Sequence, residues 1–440
     1  MQNKMAEKNI SGRYQNSNRL FSEAVNYIPL AAQTFSKCAQ QFPKGFAPLF
    51  LDRGLGARVW DVDGNEYVDL IGGLLTNVLG YCDPDVNLAI KNQLDRGISF
   101  SLATELEIQL AKKLNSLIPC AEKVRFAKNG SDATTGCIRV ARAATKKNII
   151  ICTGYHGWHD WYLSATTRDK GVPASLKDHT LKVPFNDLDT IERVLVAHSS
   201  DVAAIMVEPM SAMWPHSTYL ESLKRLAHNH GALLIFDEVV TGFRFSLGGA
   251  QEYFGVTPDL AAFGKALGNG MPISAVVGRA DLMNEMEEVF FSSTFGGEAL
   301  SIAAAIAVIE KLERLEGIQK IWKFGGLIRK KIDEIIAKHG LIDIVSLVGA
   351  DCWTILNFKD HKNSSKEEIK SLFVKVMLSE GVLINASNNV MLAHALDKES
   401  LSIILGAYEV ACSQLSKSLS ENCVLEDLST EPIYPVFAVR

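Results

Sequence analysis

Between residues 124 and 277 the chain returns six times to a short apolar run: Val124–Ala127, Ile149–Cys152, Val202–Val207, Ala232–Phe236, Leu260–Phe263 and Ala275–Val277. A strand with one wet face alternates apolar and polar residues; a continuous run is expected where both faces are covered. Helical patterns fill the gaps, so the spacing predicts an α/β fold with a mostly parallel sheet flanked by helices. Upstream, Arg58–Asp69 alternates on both sides of an Asp63-Gly64 turn and is expected to form a hairpin. Downstream, Leu300–Leu315 and Ile318–His339 have helical spacing, and residues from about 340 mix short strands with amphipathic helices. A length of 440 residues accommodates more than one domain. We expect residues 76–325 to form one large domain, with the small α+β domain assembled from residues 1–75 and 326–440.

Composition removes several classes of function. Lys and Arg total 45 against 50 Asp and Glu, a formal charge of −5, so no basic excess exists to grip nucleic acid. The apolar fraction of 47% argues against extensive disorder. The longest strongly apolar stretch, Leu300–Ile309, falls well short of the roughly 20 residues of a membrane span. The stretch Met1–Gln15 is polar and lacks a signal-peptide core. Eight cysteines, none in a CxxC pair, sit in apolar surroundings as buried free thiols do, which fits a reducing cytoplasm.

Ligands of open parallel sheets bind beyond the carboxyl ends of the strands, so the residues following each run carry the functional information. After Ala127 come Lys128-Asn129-Gly130-Ser131-Asp132 and a helix. Gly130 lets backbone approach a ligand and Ser131 adds a donor at a helix N-terminus, an anion site; alternatively Ser131 or Asp132 only caps the helix. After Cys152, two glycines bracket Tyr155-His156 in Thr153-Gly154-Tyr155-His156-Gly157-Trp158-His159-Asp160-Trp161. That segment presents an aromatic face and an imidazole; its rivals are a structural aromatic loop and a metal site of His156, His159 and Asp160. Glu208 follows one buried run, and Asp237 with Glu238 follows another. Carboxylates there are costly unless they meet a cation or donors. After Phe263, Lys265 stands among Gly264, Ala266 and Gly268. A lysine there is desolvated and nucleophilic, or else a solvated loop charge.

An anion site, an aromatic platform, a buried acid and an activated amine together suit pyridoxal phosphate. It needs an amine to hold it covalently, an acid to keep its pyridine nitrogen protonated, donors for its phosphate and a ring to stack on. No GxGxxG follows any expected strand, which disfavours a nicotinamide enzyme.

The passage Leu234-Ile235-Phe236-Asp237-Glu238-Val239-Val240-Thr241-Gly242-Phe243-Arg244, continued through Leu247–Leu260 to Gly264-Lys265, resembles the class III aminotransferases of pyridoxal phosphate fold type I. Within them it most resembles the branch of glutamate-1-semialdehyde 2,1-aminomutase. Weaker similarity runs from residue 58 to about 310. The resemblance implies that Lys265 is the Schiff-base lysine, Asp237 the partner of the pyridine nitrogen, and Val239 a residue packed on the ring. It assigns Gly130 and Ser131 to the phosphate loop and Tyr155 and His156 to the ring-stacking segment, with Glu208 on the site wall. Phe291–Gly297 matches the segment whose threonine, here Thr294, reaches the neighbouring subunit's phosphate, which implies a homodimer.

Departures fall on the substrate side. Gln33 stands where the aminomutase has a carboxylate-binding arginine, and an amide cannot form that charged two-pronged pair. The gate region is recast around Thr167–Pro173, and Leu383–Met391 carries neither the aminomutase's glutamate nor the arginine of many ω-aminotransferases. Trp158, Trp161 and Trp214 would form an aromatic-walled pocket, or else pack in the core or an interface. The expected activity is transfer of an amino group between an amine or amino acid and a keto or aldehyde acceptor. An aminomutase, a decarboxylase and a catalytically silent binding protein remain alternatives.

Overall fold

The computed structural model describes residues 12–198, 200–387 and 389–435; most of Met1–Gln15, and Asn388 within Leu383–Met391, lie outside them. The chain divides into two compact units. The larger comprises Leu75–Val78 and Pro84–Gln319; the other takes the described residues up to Leu74, Leu79–Asp83 and the chain from Lys320. Among the described residues, no helix is long and apolar enough to cross a membrane.

The larger unit is built on strands β1 (Lys123–Ala127), β2 (Ile149–Thr153), β3 (Thr180–Lys182), β4 (Val202–Val207), β5 (Leu233–Glu238), β6 (Leu260–Phe263) and β7 (Ser274–Gly278). Their spatial order is β1-β7-β6-β5-β4-β2-β3. Pairs from β6 to β3 are parallel, whereas β7 runs antiparallel to both β6 and β1. Six strands therefore share one direction, and the first residue of β7 lies at the edge where the other six end.

Burial explains the apolar runs. Every residue of β2, β4, β6 and β7 is buried. One covering helix, Gly130–Thr145, repeats apolar residues at helical spacing, and its Ala133, Cys137, Val140 and Ala141 join Ile150, Ile235, Ala262 and Val276 in one core cluster. A Cβ on Gly136 would stand 2.8 Å from Val276 Cγ2, so the helix lies close on the sheet. The edge strand β1 departs from expectation. Its run is not covered on both faces, because Lys123 and Arg125 point outward in an alternating pattern. β3 escaped notice since three residues are too few to establish a period.

The smaller unit is α+β. One sheet orders Leu51–Leu55, Arg58–Asp61, Glu66–Asp69 and Val382–Leu383; a second orders Val345–Ala350, Trp353–Phe358 and Asn389–Met391. The hairpin's four-residue loop turns at Gly64, whose φ is +86°. Helices Lys366–Ser379 and Lys398–Glu421 complete it.

Gly72, Gly73, Leu74 and Leu75 have φ of +55°, +63°, +66° and +69°, a left-handed turn that disfavours both leucines. Hydrogen bonds hold it. The backbone N–H groups of Ile71 and Gly72 donate to Asp69 Oδ1 at 2.7 and 3.1 Å, and the Tyr81 hydroxyl donates to Oδ2 at 2.6 Å.

Candidate active site

The carboxyl edge of the large sheet brings Gly130, Ser131, Tyr155, His156, Glu208, Asp237, Val239 and Lys265 into one neighbourhood. Asp237 is 5% exposed near the end of β5. Its Oδ2 lies 2.8 Å from His156 Nδ1, and its Oδ1 accepts the Val239 N–H at 3.1 Å. A carboxylate only accepts, which assigns the proton of the first bond to Nδ1. Behind this pair the imidazole lies nearly parallel to Trp161, with ring centroids 6.2 Å apart and planes 16° apart.

Glu238 behaves differently, because successive strand residues face opposite ways. Its carboxylate accepts from the Thr241 hydroxyl and from the backbone N–H groups of Ala250 and Gln251 at 2.7 and 2.9 Å. Of the two adjacent acids, Asp237 meets the His156 imidazole, whereas Glu238 is held by Thr241, Ala250 and Gln251.

Two glycines shape the Tyr155-His156 loop. Gly154 has φ +93°, and a Cβ there would lie 2.3 Å from Glu208 Oε2; Gly157 has φ +102°, and its Cβ would lie 2.3 Å from Ser131 Oγ. Without those carbons, the Tyr155 N–H donates to Glu208 Oε2 at 3.0 Å and the Trp158 N–H to Ser131 Oγ at 3.2 Å. Neither Ser131 nor Asp132 is the helix cap. Asn129 holds that place in a reciprocal box with Asp132, whose carboxylate accepts the Asn129 N–H at 2.8 Å. Val239 covers this helix start: a Cβ on Gly130 would stand 2.7 Å from Val239 Cγ1.

Lys265 follows β6 with φ +43°, an uncommon backbone for a lysine. Among the described residues no hydrogen bond or ion pair engages its amine. Burial lowers the amine's pKa; Glu208 and Asp237 oppose that shift and Arg244 adds to it. Burial, then the charge of Asp237, raise the Glu208 carboxyl from 4.5 to about 7. The neighbourhood thus holds an amine whose pKa burial lowers and a carboxyl that titrates near neutrality.

Other expected residues go elsewhere. Thr294 is exposed on a loop of the larger unit, and no hydrogen bond among the described residues joins it to the cluster. Gln33 is exposed in the smaller unit. Trp158 is 64% exposed; Trp161 is buried, its indole N–H donating to Thr135 Oγ1 at 2.9 Å; Trp214 packs with Phe245, Tyr253 and Phe254. Trp161 is therefore core and no pocket wall. His159 Nδ1 lies 2.8 Å from Thr135 Oγ1, and among the described residues no group of three His, Cys, Asp or Glu could hold a metal. Within Thr167–Pro173, Asp169 pairs with Lys177 at 2.6 Å.

Sequence reasoning passed over Arg244, wholly buried, whose Nη2 donates to Leu75 O at 2.7 Å. Its position seven residues after Asp237, inside the strongest motif, was an available signal. Tyr162 and Lys182 were missed as well; they donate to Gly154 O at 2.8 and 3.2 Å and fix the loop from behind.

These residues fit pyridoxal phosphate on three independent observations. The bare backbone of Gly130 lies close against Val239 at a helix start, the amine of Lys265 has no partner among the described residues, and a buried acid is already anchored by an imidazole. That cradle, at the carboxyl edge of an α/β sheet in this strand order, defines a pyridoxal phosphate-dependent transferase. Comparison with known proteins is more specific: residues 41–406 match the class III aminotransferases, and the chain belongs to that family. It is 36% identical over 423 residues to the 3-aminobutyryl-CoA aminotransferase of Cloacimonas acidaminovorans, covering 94% of this chain and 100% of that one. Glutamate-1-semialdehyde 2,1-aminomutase 2 of Brevibacillus brevis is 32% identical over 425 residues, with 90% and 98% covered. The FumI protein of Sphingopyxis sp. MTA144, solved in a pyridoxal phosphate form, superposes with a TM-score of 0.86 at 26% identity, covering 94% and 98%.

Proposed function

We propose that this aminotransferase holds its cofactor on Lys265 and moves an amino group between an amine or amino acid and a keto or aldehyde acceptor. The observation that carries the assignment is the uncommitted Lys265 amine in one cradle with the buried His156–Asp237 pair. Bound there, pyridoxal phosphate supplies an electron sink for the charge left when a substrate C–H bond breaks. Asp237, held by His156 and the Val239 N–H, keeps the pyridine nitrogen protonated through its negative charge. Gly130 and Ser131 receive the phosphate at the helix N-terminus, Tyr155 holds one face of the ring and Val239 the other. Lys265 Nζ takes a proton from the carbon bearing the substrate's amine and returns one. Glu208 fixes Tyr155 through its backbone N–H. The visible absorption of the lysine-bound cofactor tests this reading: Lys265→Ala should abolish it together with turnover, and a variant that still transaminated at the native rate would sink it.

We further propose a homodimer in which Thr294 completes the neighbour's phosphate site. Phe290 and Phe295, 81% and 55% exposed, flank Thr294, and Leu102 is 84% exposed on a segment tied to this one by the Ala299 N–H to Ile98 O bond. Such an apolar rim suits burial against a second copy. Six buried free cysteines support a cytoplasmic protein. For the substrate, Gln33 in place of an arginine favours an acyl chain without a free carboxylate at that end. The Cloacimonas relative, named for a CoA thioester, supports the same reading. An aminomutase outcome is favoured by the Brevibacillus relative; release of a keto product from an amine donor would decide against it.

A further inference from the structure

Because β7 runs against its neighbours, it begins where they end, and the residue placed there is Ser274. Ser274 is fully buried, and its Oγ has no hydrogen-bond partner among the described residues. A buried hydroxyl without a partner is costly, so its position calls for an acceptor that the chain itself does not supply. Its surroundings indicate what. In the ladder Ser274 stands opposite Ala127, the last residue of β1, from which Lys128 and Asn129 lead directly to Gly130. On its other side is Gly264: a Cβ built there would lie 3.8 Å from Ser274 Cβ, 3.8 Å from Gly130 Cα and 3.4 Å from Val239 Cγ1. Ser274 Cβ and Gly130 Cα, which opens the 16-residue helix, thus both lie 3.8 Å from the point where a side chain on Gly264, the residue before Lys265, would begin.

We propose that Ser274 is a further phosphate-binding residue, whose hydroxyl donates to the cofactor's phosphate from the sheet side while the N-terminal amides of Gly130–Thr145 donate from the other. The inference rests on the pyridoxal phosphate reading above and adds a donor to it. A dianion at a helix N-terminus accepts several short bonds, and a neutral O–H on the sheet satisfies one more acceptor site without adding charge. The same arrangement gives the hydroxyl the partner it lacks.

The test removes only the oxygen. Ser274→Ala and wild-type protein, both stripped of cofactor, are titrated with pyridoxal phosphate and separately with pyridoxal. We expect about tenfold weaker binding of pyridoxal phosphate by the variant, the size of one hydrogen bond to a charged group, and pyridoxal affinity within about twofold of wild type. Thermal unfolding supplies a second readout: the cofactor-free variant should be at least as stable as cofactor-free wild type, because an orphaned hydroxyl has gone, whereas the loaded variant should be less stable. Equal affinities for pyridoxal phosphate would overturn the proposal. Equal loosening of both ligands would do so too, by assigning the hydroxyl to the ring or to Lys265. Lowered stability of the cofactor-free variant would make the role structural. Wild-type protein that bound pyridoxal phosphate without the visible band lost in Lys265→Ala would instead refute the Lys265 reading and leave the Ser274 comparison intact; no binding at all would refute both.

Discussion

His156 Nδ1 stands 2.8 Å from Asp237 Oδ2 in a pocket where the imidazole is fully buried and the carboxylate nearly so. The acid is thereby fixed in direction before any ligand arrives, and a preset charge acts without reorganising during the reaction. Asp237→Asn keeps the shape and removes the charge. Its turnover should fall about a hundred- to a thousandfold, measured as the single-turnover rate with an amine donor, while the cofactor remains attached to Lys265.

The neighbouring acid should give the opposite pattern. Glu238→Ala leaves the Thr241 hydroxyl and the N–H groups of Ala250 and Gln251 without their acceptor, a cost of about 2–4 kcal/mol in stability. At a temperature where the variant is folded, its kcat should match wild type. Calorimetry and steady-state kinetics on the same preparation separate the two acids; a large loss of kcat in folded Glu238→Ala would place it in the site after all.

Gly130→Ala puts a methyl carbon 2.7 Å from Val239 Cγ1, where a branched side chain has little room to move. We expect a destabilisation of about 1–3 kcal/mol, partly relieved in the Gly130→Ala, Val239→Ala double variant. Additive losses, read from urea unfolding of the four proteins in the cycle, would contradict this contact.

The Glu208 carboxyl has a folded pKa of about 7 against 4.5 ordinarily, so the folded chain binds this proton more tightly than the unfolded one. The associated stability is fully present below pH 4.5 and is lost as pH rises through about 7. By linkage the loss amounts to roughly 3 kcal/mol. Unfolding free energies of cofactor-free protein should therefore decline across that window, and Glu208→Gln should flatten the decline. An unchanged slope in the variant would assign it to other groups.

If Thr294 acts across a dimer, two defective chains can make one good site. Lys265→Ala and Thr294→Ala proteins, unfolded together and refolded as a mixture, should recover about a quarter of wild-type activity, since half the dimers are mixed and each has one intact centre. No recovery above the separate proteins would argue that Thr294 serves its own chain or none.

Much of this was legible in residue order because the physics was local. A strand covered on both faces must be apolar throughout, so β2, β4, β6 and most of β5 announced themselves, and with them the places where chemistry could sit. What escaped depended on neighbours distant in sequence. β1 lies at the edge, and Lys123 and Arg125 signalled that only once β7 was known to be its one strand partner among the described residues. Glu238 looked like a second site acid until Ala250 and Gln251 were seen folding back to it. Trp161 was ambiguous between wall and core, and its stack on His156 decided for core. Nothing in Leu74-Leu75 signals a left-handed backbone, because leucine avoids it; Asp69 holds the turn from outside. Ser274 looked like any strand residue, and only the reversed direction of β7 gave it a meaning.

The two glycines around Tyr155-His156 bear on how this enzyme can change over generations. Each faces an oxygen at 2.3 Å from where a first side-chain carbon would be, one on Glu208 and the other on Ser131. No substitution, however small, fits without displacing a group of the site, so the imidazole's loop is closed to gradual variation. New preferences must therefore be acquired at positions with room to differ, such as the exposed Trp158 and the stretch Thr167–Pro173. Lineages that share this chemistry would then diverge in what they accept while keeping the same loop almost letter for letter.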